Sequence, residues 1–205
     1  MTRPFAIILA GGRATRMGGG DKGRLDLHGQ SMLARILDRL APQCDAIALN
    51  ANGDPARFAD LGLPVLADGL PGFPGPLAGI LAGLDWAAAQ GADRVLSVAG
   101  DTPFFPSDLA RRLAAQENGI VLAASRDGAG RVADHPVFGL WPVALRPDLT
   151  AFLHAGERRV RRFADLHGAA RVVWDAEPVD PFFNVNTPAD LDRARALLVR
   201  PHPTP

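Results

Sequence analysis

Apolar and polar positions alternate in blocks along this chain. Short apolar runs of strand length predict strands at 5–9, 46–49, 65–67, 94–99 and 120–124. Apolar residues at helical spacing predict a helix that follows a Ser31 N-cap, and further helices over 77–89 and 107–116. Strands that alternate with helices in this way predict an α/β fold, with a mainly parallel sheet and helices on both of its faces.

The second half of the chain is less regular. It predicts strands at 135–141 and 171–174, helices near 145–154 and 158–166, and a closing helix that begins after Asn186-Thr187-Pro188. No repeat and no linker interrupts the pattern. We therefore expect a single domain over 1–199 and a frayed, proline-containing tail over 200–205.

Polar residues or glycines follow several of the predicted strands. Ala10-Gly11-Gly12 follows the first strand, and Asn50, Asp68 and Asp101 follow three later ones. In sheets of this kind ligands bind beyond the carboxyl ends of the strands. The pattern predicts a shared ligand-binding cleft at that edge of the sheet.

Composition and charge exclude several classes of protein. Lys and Arg number 22 and Asp and Glu also 22, which does not favour a broad basic face for nucleic acid. The only cysteine, Cys44, excludes an internal disulfide framework and a cysteine-based zinc cluster. No run approaches the ~18 apolar residues that a membrane-spanning helix needs. We therefore expect a soluble, cytoplasmic protein with no membrane association.

One residue departs from the composition, because Lys22 is the only lysine beside 21 arginines. It ends the glycine-rich segment that follows the first strand, where backbone N–H groups can approach phosphate oxygens while Arg16 and Lys22 supply positive charge. The segment is not a Walker A loop, since Gly-Lys-Ser/Thr is absent. We favour phosphate binding over a flexible surface loop.

Two carboxylates at strand ends are candidates for metal or nucleotide binding. Asp101 follows a continuous apolar strand near the glycine-rich segment, which suits Mg²⁺ held by one or two carboxylates and by phosphate oxygens. Asp68 could help to hold a metal, or could hydrogen-bond a base or a ribose. Both residues are also consistent with an ordinary turn.

Polar clusters near the C-terminus leave two interpretations open. Asn184 and Asn186 alternate, so they could present amides to a polar heterocycle, while Asn186 or Thr187 could cap the last helix. The basic cluster 158–162 could be a solvated helix face or could bind an anion. His135, like other lone histidines, favours a structural role.

Taken together, the motifs resemble the bacterial molybdenum cofactor guanylyltransferase family. The resemblance covers residues 5–195, nearly the whole chain. The motifs that carry it are Leu9-Ala10-Gly11-Gly12, Arg16-Met17-Gly18-Gly19, Asp21-Lys22-Gly23, Gly75-Pro76-Leu77-Ala78-Gly79, Asp101-Thr102-Pro103, Gly156-Glu157-Arg158-Arg159-Val160 and Phe183-Asn184-Val185-Asn186-Thr187-Pro188.

The resemblance implies a three-layer, Rossmann-like nucleotide-diphospho-sugar-transferase fold and a nucleotidyltransferase activity. GMP would pass from GTP to the phosphate of molybdenum-bound molybdopterin, with release of pyrophosphate and with Mg²⁺ as cofactor. The implied catalytic residues are Lys22, Arg16 and Asp101, of which Asp101 is also the metal ligand. The implied nucleotide site comprises Leu9, Ala10, Gly11, Gly12, Lys22, Asn50, Asp68 and Asp101. The implied pterin site comprises Arg158, Arg159, Asn184 and Asn186.

The partners implied by the resemblance are GTP, molybdopterin with or without molybdenum, and transient contacts with other cofactor-assembly proteins. The protein itself would be a monomer or a weak oligomer. The roles of residues 127–136 stay open.

Three alternatives remain. A cytidylyltransferase acting on the same cofactor is the nearest, although Gly11-Gly12 leaves more room for a large base. A sugar-phosphate nucleotidyltransferase would share the glycine-rich segment but not the Asn184/Asn186 motif. A non-catalytic carrier would bind the nucleotide or the pterin without releasing pyrophosphate.

Overall fold

A computed structural model describes residues 3–11, 22–69, 75–116 and 119–199 of the protein. Its centre is one seven-stranded sheet in the order β3-β2-β1-β4-β6-β5-β7. The strands are β1 (Phe5–Leu9), β2 (Ala46–Asn50), β3 (Val65–Leu66), β4 (Arg94–Ala99), β5 (Val121–Arg126), β6 (Val132–Pro142) and β7 (Ala170–Asp175). Pairing is parallel except at β6, which runs antiparallel to both β4 and β5. The predicted mainly parallel sheet is confirmed.

Helices cover both faces of this sheet. They are α1 (Met32–Leu40), α2 (Pro76–Ala89), α3 (Leu109–Ala114), α4 (Arg146–His154), α5 (Val160–Leu166) and α6 (Pro188–Val199). Buried residues of α1, α3 and α6 pack in one apolar cluster, and those of α2, α4 and α5 in a second. The three-layer arrangement is therefore also confirmed. No helix within the described ranges is long and apolar enough to cross a membrane.

The alternation of side chains in β1 shows why two apolar clusters form. Ala6 and Ile8 belong to one cluster, and Ile7, which lies between them, belongs to the other. Successive strand residues point to opposite faces, so a strand buried on both sides needs an unbroken apolar run.

Hydrogen bonds at the helix starts explain where two helices begin. The Ser31 hydroxyl accepts a hydrogen bond from the Ala34 N–H at 3.2 Å, as its N-cap position predicts. At the start of α6, Thr187 Oγ1 accepts from the Asp190 N–H, and the Asp190 carboxylate accepts from the Thr187 N–H at 2.9 Å. This reciprocal cap places Pro188 in the first turn and so fixes the direction in which the chain leaves Asn186.

The structure differs from the predicted elements mainly at β6. This strand begins at Val132 rather than at His135, and its pairing with β5 shifts where Leu122 faces Gly139 but Ala123 faces His135. Residues 136–138 therefore form a bulge, which the apolar pattern alone does not predict. Helix α3 is shorter than predicted, because Asp108 has φ −107° and ψ 11°, outside the helical region.

Three of the sequence predictions lie outside the described residues. These are Gly12 and Arg16 of the glycine-rich segment and the tail over 200–205.

Candidate functional site

A cavity of about 440 Å³ opens where the predicted strand ends meet. Leu9, Asn50 and Ala99, at the carboxyl ends of β1, β2 and β4, line one part of it. The N-terminal half of β6, which runs in the opposite direction, supplies the other wall, from Asp134 to Phe138. The sheet order therefore gives the cavity two halves, one at β1 and β2 and the other at β6, with the end of β4 between them.

Backbone hydrogen bonds fix the first half. The Ala10 N–H donates to the Asn50 carbonyl at 2.9 Å, and the Gly100 N–H donates to the Leu9 carbonyl at the same distance. A Cβ atom at Gly100 would lie 2.9 Å from that carbonyl oxygen and 3.2 Å from Ala10 Cα. A glycine is therefore required for β1 and β4 to end so close together.

Two asparagines and Asp68 form a hydrogen-bonded group behind this half. Asn50 Nδ2 donates to Asp68 Oδ1 at 3.0 Å and to the Leu66 carbonyl at 3.1 Å. Asn52 Nδ2 donates to Asp68 Oδ2 at 2.7 Å, and its own Oδ1 accepts from the Asp68 N–H. Both oxygens of the Asp68 carboxylate thus hold amides in place, and no described residue donates a hydrogen bond to Asn50 Oδ1. That oxygen is available to a ligand N–H or O–H group.

Gly79, in the second turn of α2, makes room for Asn50. A Cβ atom at this position would overlap Asn50 Oδ1 and lie 2.7 Å from both Asn50 Cγ and Leu9 Cδ2. The helix can approach the ends of β1 and β2 only because this residue is glycine.

Lys22 and Asp101 meet between the two halves. Lys22 Nζ donates to Asp101 Oδ2 at 2.8 Å and also to Asn186 Oδ1. The Lys22 side chain is 15% exposed and that of Asp101 is 29% exposed. Asp101 and Asn186 thus form one partly buried polar cluster with Lys22, although they lie 79 and 164 positions from it in sequence.

The other asparagine of the C-terminal pair, Asn184, reaches the same place through Thr102. The buried Thr102 hydroxyl lies 3.2 Å from Asp101 Oδ1 and donates to Asn184 Oδ1. The Val185 N–H also donates to the Asp101 carbonyl at 2.9 Å. Alternation along this extended segment therefore brings both amides close to Asp101, Asn184 through Thr102 and Asn186 through Lys22. Their contact with a polar heterocycle stays a prediction.

The oxygen atoms around Asp101 fit a hard cation. Its carboxylate already accepts from an ammonium group, and an amide oxygen of Asn186 contacts the same ammonium. Within the described ranges no group of three or more His, Cys, Asp and Glu residues could hold a metal. One carboxylate with neutral oxygens matches Mg²⁺, which completes its ligand shell with phosphate oxygens and water, better than it matches a site built wholly by protein.

The β6 half carries polar groups that the motifs did not assign. His135 lines the cavity, stacks on Phe182 with ring centroids 4.4 Å apart, and bonds through Nε2 to Ser125 Oγ at 2.7 Å. Burial lowers the pKa of His135, although Asp180 and Asp134 act in the opposite direction. A neutral imidazole therefore faces the cavity at neutral pH.

Asp134, the neighbour of His135, anchors this half to α5 and β7. Its carboxylate accepts from Arg161 Nε at 3.0 Å and from Arg171 Nε at 3.2 Å. Burial would raise the pKa of Asp134, but these two guanidinium groups outweigh burial and hold the pKa below its usual value. The carboxylate stays ionised and ties the residue before His135 to α5 and β7.

The structure brings most of the predicted site residues together. The cavity is lined by Leu9, Ala10, Gly11, Lys22, Asn50, Asp68, Asp101 and Asn184, and Asn186 contacts Lys22. Arg158 and Arg159 are exposed in the turn before α5 and are not among the cavity-lining residues. Arg162, in the same basic cluster, pairs with Glu157 at 2.6 Å.

Asn52 and His135 are site residues that were not predicted from the sequence. The Asn50/Asn52 spacing was a usable signal for the first. Nothing in the sequence places His135 beside Ser125 and Asp180, because that contact depends on the bulge in β6 and on the path of the chain after β7.

Comparisons with known proteins identify the family of the chain. The model of the family described as "MobA-like NTP transferase domain" matches residues 6–172. The chain is 54% identical over 202 residues to a molybdenum cofactor guanylyltransferase of Rhodopseudomonas palustris strain BisB5, covering 95% of this chain and 94% of that one. It is 53% identical over 196 residues to the protein of the same name from Cereibacter sphaeroides, covering 96% and 97%.

Solved structures share the fold at much lower identity. A nucleotidyl transferase from Methanothermobacter superposes with a TM-score of 0.73 at 19% identity, covering 98% of this chain and 99% of that one. Molybdopterin-guanine dinucleotide biosynthesis protein A from Archaeoglobus fulgidus superposes with a TM-score of 0.70 at 21% identity, covering 95% and 98%. The chain therefore belongs to the MobA-like NTP transferase family and is an enzyme of the molybdenum cofactor guanylyltransferase group.

Proposed function

We propose that the enzyme transfers GMP from GTP to the phosphate of molybdenum-bound molybdopterin and releases pyrophosphate. The observation that carries this proposal is the Lys22–Asp101–Asn186 cluster, which lies between the two halves of one cavity. A group transfer needs its two substrates on opposite sides of the charged groups that stabilise the reacting phosphates. The names of the relatives supply the identities of the two substrates.

The β1 and β2 half would hold the guanine nucleotide. Leu9, Ala10 and Gly11 form its floor, and Asn50 Oδ1 would accept a hydrogen bond from the base or the ribose. Asp68 would act mainly by orienting the amides of Asn50 and Asn52, because both of its oxygens already accept from them. Gly12 and Arg16, which lie outside the described residues, stay predictions for this site.

The β6 half would hold the pterin, with Asn184 and Asn186 at its border with the reacting phosphates. Arg158 and Arg159 stay a prediction for this side, and contact with a bound pterin would require one of them to reach over the rim from the segment before α5.

The reaction needs no general base. A phosphate monoester with a second pKa near 6 is already largely ionised at neutral pH. One of its oxygens would form a bond to the α-phosphorus of GTP, while the bond from that phosphorus to the bridging oxygen breaks and pyrophosphate leaves with the electron pair. Lys22 would offset the negative charge on the α-phosphate and on the departing pyrophosphate.

Asp101 would hold Mg²⁺, with the Asn186 amide and the Thr102 hydroxyl close by. The ion, when bound, supplies positive charge that neutralises phosphate oxygens. Lys22 Nζ now occupies one oxygen of Asp101, so the lysine would turn from the carboxylate to the phosphates when the substrates bind.

The cytidylyltransferase alternative predicts a narrower base site. A Cβ atom at Gly11 would lie 3.9 Å from Asn50 Oδ1, over the amide that we assign to the nucleotide. Its absence leaves that acceptor open to a purine, which favours GTP.

The decisive experiment measures pyrophosphate release with Mg²⁺ and each of GTP, CTP, ATP and UTP, with and without molybdopterin. We expect release with GTP only, and only when the pterin is present. The Asp101→Asn variant, which keeps the shape of the side chain but not its charge, should lower kcat by at least about 100-fold. Release with CTP would instead assign a cytidylyltransferase activity on the same cofactor. No release with any of the four nucleotides would leave a protein that binds the nucleotide or the pterin without catalysis.

A further inference from the structure

Three polar side chains on the β6 side of the cavity have no role in the proposed transfer step. They are Asp180, Ser125 and His135, here called the His135 relay. His135 Nε2 bonds to Ser125 Oγ at 2.7 Å, and Ser125 Oγ lies 3.4 Å from Asp180 Oδ2. Ser125 is only 2% exposed, whereas His135 reaches the cavity. The relay therefore has a buried hydroxyl at its centre, the half-buried Asp180 at one end and His135 at the cavity wall.

The bulge in β6 gives His135 its position. His135 faces Ala123 of β5, and the three bulged residues follow it before pairing resumes at Gly139. Ser97 fixes the bulge from β4, because its hydroxyl donates to the Val137 carbonyl at 2.5 Å. On its other side the imidazole stacks on Phe182, so the ring can move little.

The hydrogen-bond donors in the relay determine the tautomer of His135. The Ser125 hydroxyl has a single proton, and it donates that proton to Asp180 Oδ2. Ser125 Oγ then has only lone pairs to offer His135, and Nε2 must carry the proton and donate it. In a neutral imidazole this leaves Nδ1 as an acceptor, and no described residue donates a hydrogen bond to it.

Two acidic residues face this imidazole, and they do not suffice to keep it protonated at neutral pH. Asp180 and Asp134 favour the protonated form, but burial outweighs them and lowers the pKa of His135. Asp134 is in addition occupied by Arg161 and Arg171.

We propose that His135 Nδ1 accepts a hydrogen bond from an N–H group of the acceptor substrate's heterocycle, and that Ser125 and Asp180 are positioning residues that hold the ring in the accepting tautomer. The inference rests on the proposed function, which places a pterin, with ring and exocyclic N–H groups, in this half of the cavity. His135 would thus select an acceptor by its N–H donor and not by its phosphate.

Two substitutions of His135 separate this role from a structural one. The amide of His135→Asn lies near the position of Nδ1, and that of His135→Gln reaches the position of Nε2. If Nδ1 binds the acceptor, His135→Gln should raise the KM for molybdopterin about tenfold, the cost of one hydrogen bond, with kcat and the KM for GTP unchanged. His135→Asn should keep a lower KM than His135→Gln. A purely structural role predicts the reverse order, because only Gln preserves the bond to Ser125.

Asp180→Asn tests the positioning residues. Asp180 Oδ1 accepts from the Phe182 N–H at 2.9 Å, so an asparagine would keep its oxygen there and turn its NH₂ group toward Ser125. The Ser125 hydroxyl would then donate to Nε2, and Nδ1 would become the protonated nitrogen. We expect the KM for molybdopterin to rise in this variant as it does in His135→Gln.

Nitrogen-15 NMR of the imidazoles reads the tautomer without any substrate, with the His135→Gln spectrum identifying the His135 signals. The wild type should show a protonated Nε2 and a bare Nδ1, and Asp180→Asn the opposite. A protonated Nδ1 in the wild type, or a normal molybdopterin KM in His135→Gln, would overturn the inference. If the wild type releases no pyrophosphate, the proposed function fails, and the nitrogen spectrum still decides whether the relay sets the tautomer.

Discussion

At the scale of single residues, the shape of Lys22 matters as much as its charge. Its ammonium fits between Asp101 Oδ2 and Asn186 Oδ1, which accept from a single nitrogen atom. A guanidinium is planar and longer, and it presents its donors as a fork, so it cannot occupy that point without displacing one of the acceptors. This explains why a chain with 21 arginines has a lysine here.

We expect Lys22→Arg to lower kcat/KM for GTP about 100-fold, since the charge is kept but misplaced at the reacting phosphates. Steady-state pyrophosphate release at saturating molybdopterin measures this. Arg111→Lys makes the reciprocal exchange on an exposed helix face and should leave kcat/KM unchanged. A rate for Lys22→Arg equal to that of the control would show that only charge matters at this position.

Residue identity could be predicted from sequence where an unusual residue follows a strand, as with Lys22, Asn50 and Asp101. The role of His135 could not be predicted in this way, because the chemistry of its ring depends on two hydrogen bonds of Ser125. One joins Ser125 to His135, 10 positions away in sequence, and the other joins Ser125 to Asp180, 55 positions away. A tautomer is a property of the network and has no local signal.

At the scale of elements, helix α2 shows how a packing contact becomes a binding property. Gly79 and Gly83 lie one turn apart and both face the sheet. A Cβ atom at Gly83 would lie 3.0 Å from Ile7 Cβ, in the core, whereas one at Gly79 would overlap the Asn50 amide. The same substitution therefore has different consequences at the two positions.

We expect Gly79→Ala to raise the KM for GTP about tenfold or more, because Asn50 must move from the position in which Asp68 and Leu66 hold it. Gly83→Ala is the matched control. Both variants gain the roughly 1 kcal/mol helix propensity of alanine and both meet a neighbour, so thermal unfolding reports their shared effects. A normal GTP KM in Gly79→Ala would remove Asn50 from the nucleotide site.

Most elements could be predicted from apolar patterning, and the strands β1, β2 and β4 nearly to the residue, because their buried runs end at polar site residues. Patterning failed at β6. Its first two residues, Val132 and Ala133, are exposed and are followed by the polar Asp134, and the bulge at 136–138 is held by the Ser97 hydroxyl of another strand. Long-range bonds of this kind decide where a strand bends but leave no periodicity.

At the scale of the whole molecule, the sheet order separates the two substrates. β1 and β2 lie on one side of β4 and β6 on the other, so the end of β4 presents Asp101 between them. The β6 wall must then be held at a fixed distance from β4 by the second half of the chain. Asp134 makes that connection, since its carboxylate bonds to Arg161 of α5 and Arg171 of β7.

This connection should contribute to stability in a pH-dependent way. The two guanidinium groups hold the pKa of Asp134 in the folded state below its unfolded value, despite the opposing effect of burial. The stabilisation is therefore present above a pH of about 4, and it is lost as the pH falls through the lower, folded-state pKa. We expect Asp134→Asn to lower the free energy of unfolding by about 1–2 kcal/mol at neutral pH, since its side chain is only 8% exposed.

Urea unfolding of both proteins at neutral pH and near pH 3 measures the difference, which should shrink in acid because the wild-type carboxylate is then becoming protonated as well. Asp85→Asn is the control, since Asp85 pairs with Arg146 across α2 and α4 but is 48% exposed. That loss should be smaller, because solvent screens an exposed pair. A stability difference for Asp134→Asn that is equal at both pH values would mean that packing, and not the carboxylate charge, joins the β6 half of the cavity to the rest of the sheet.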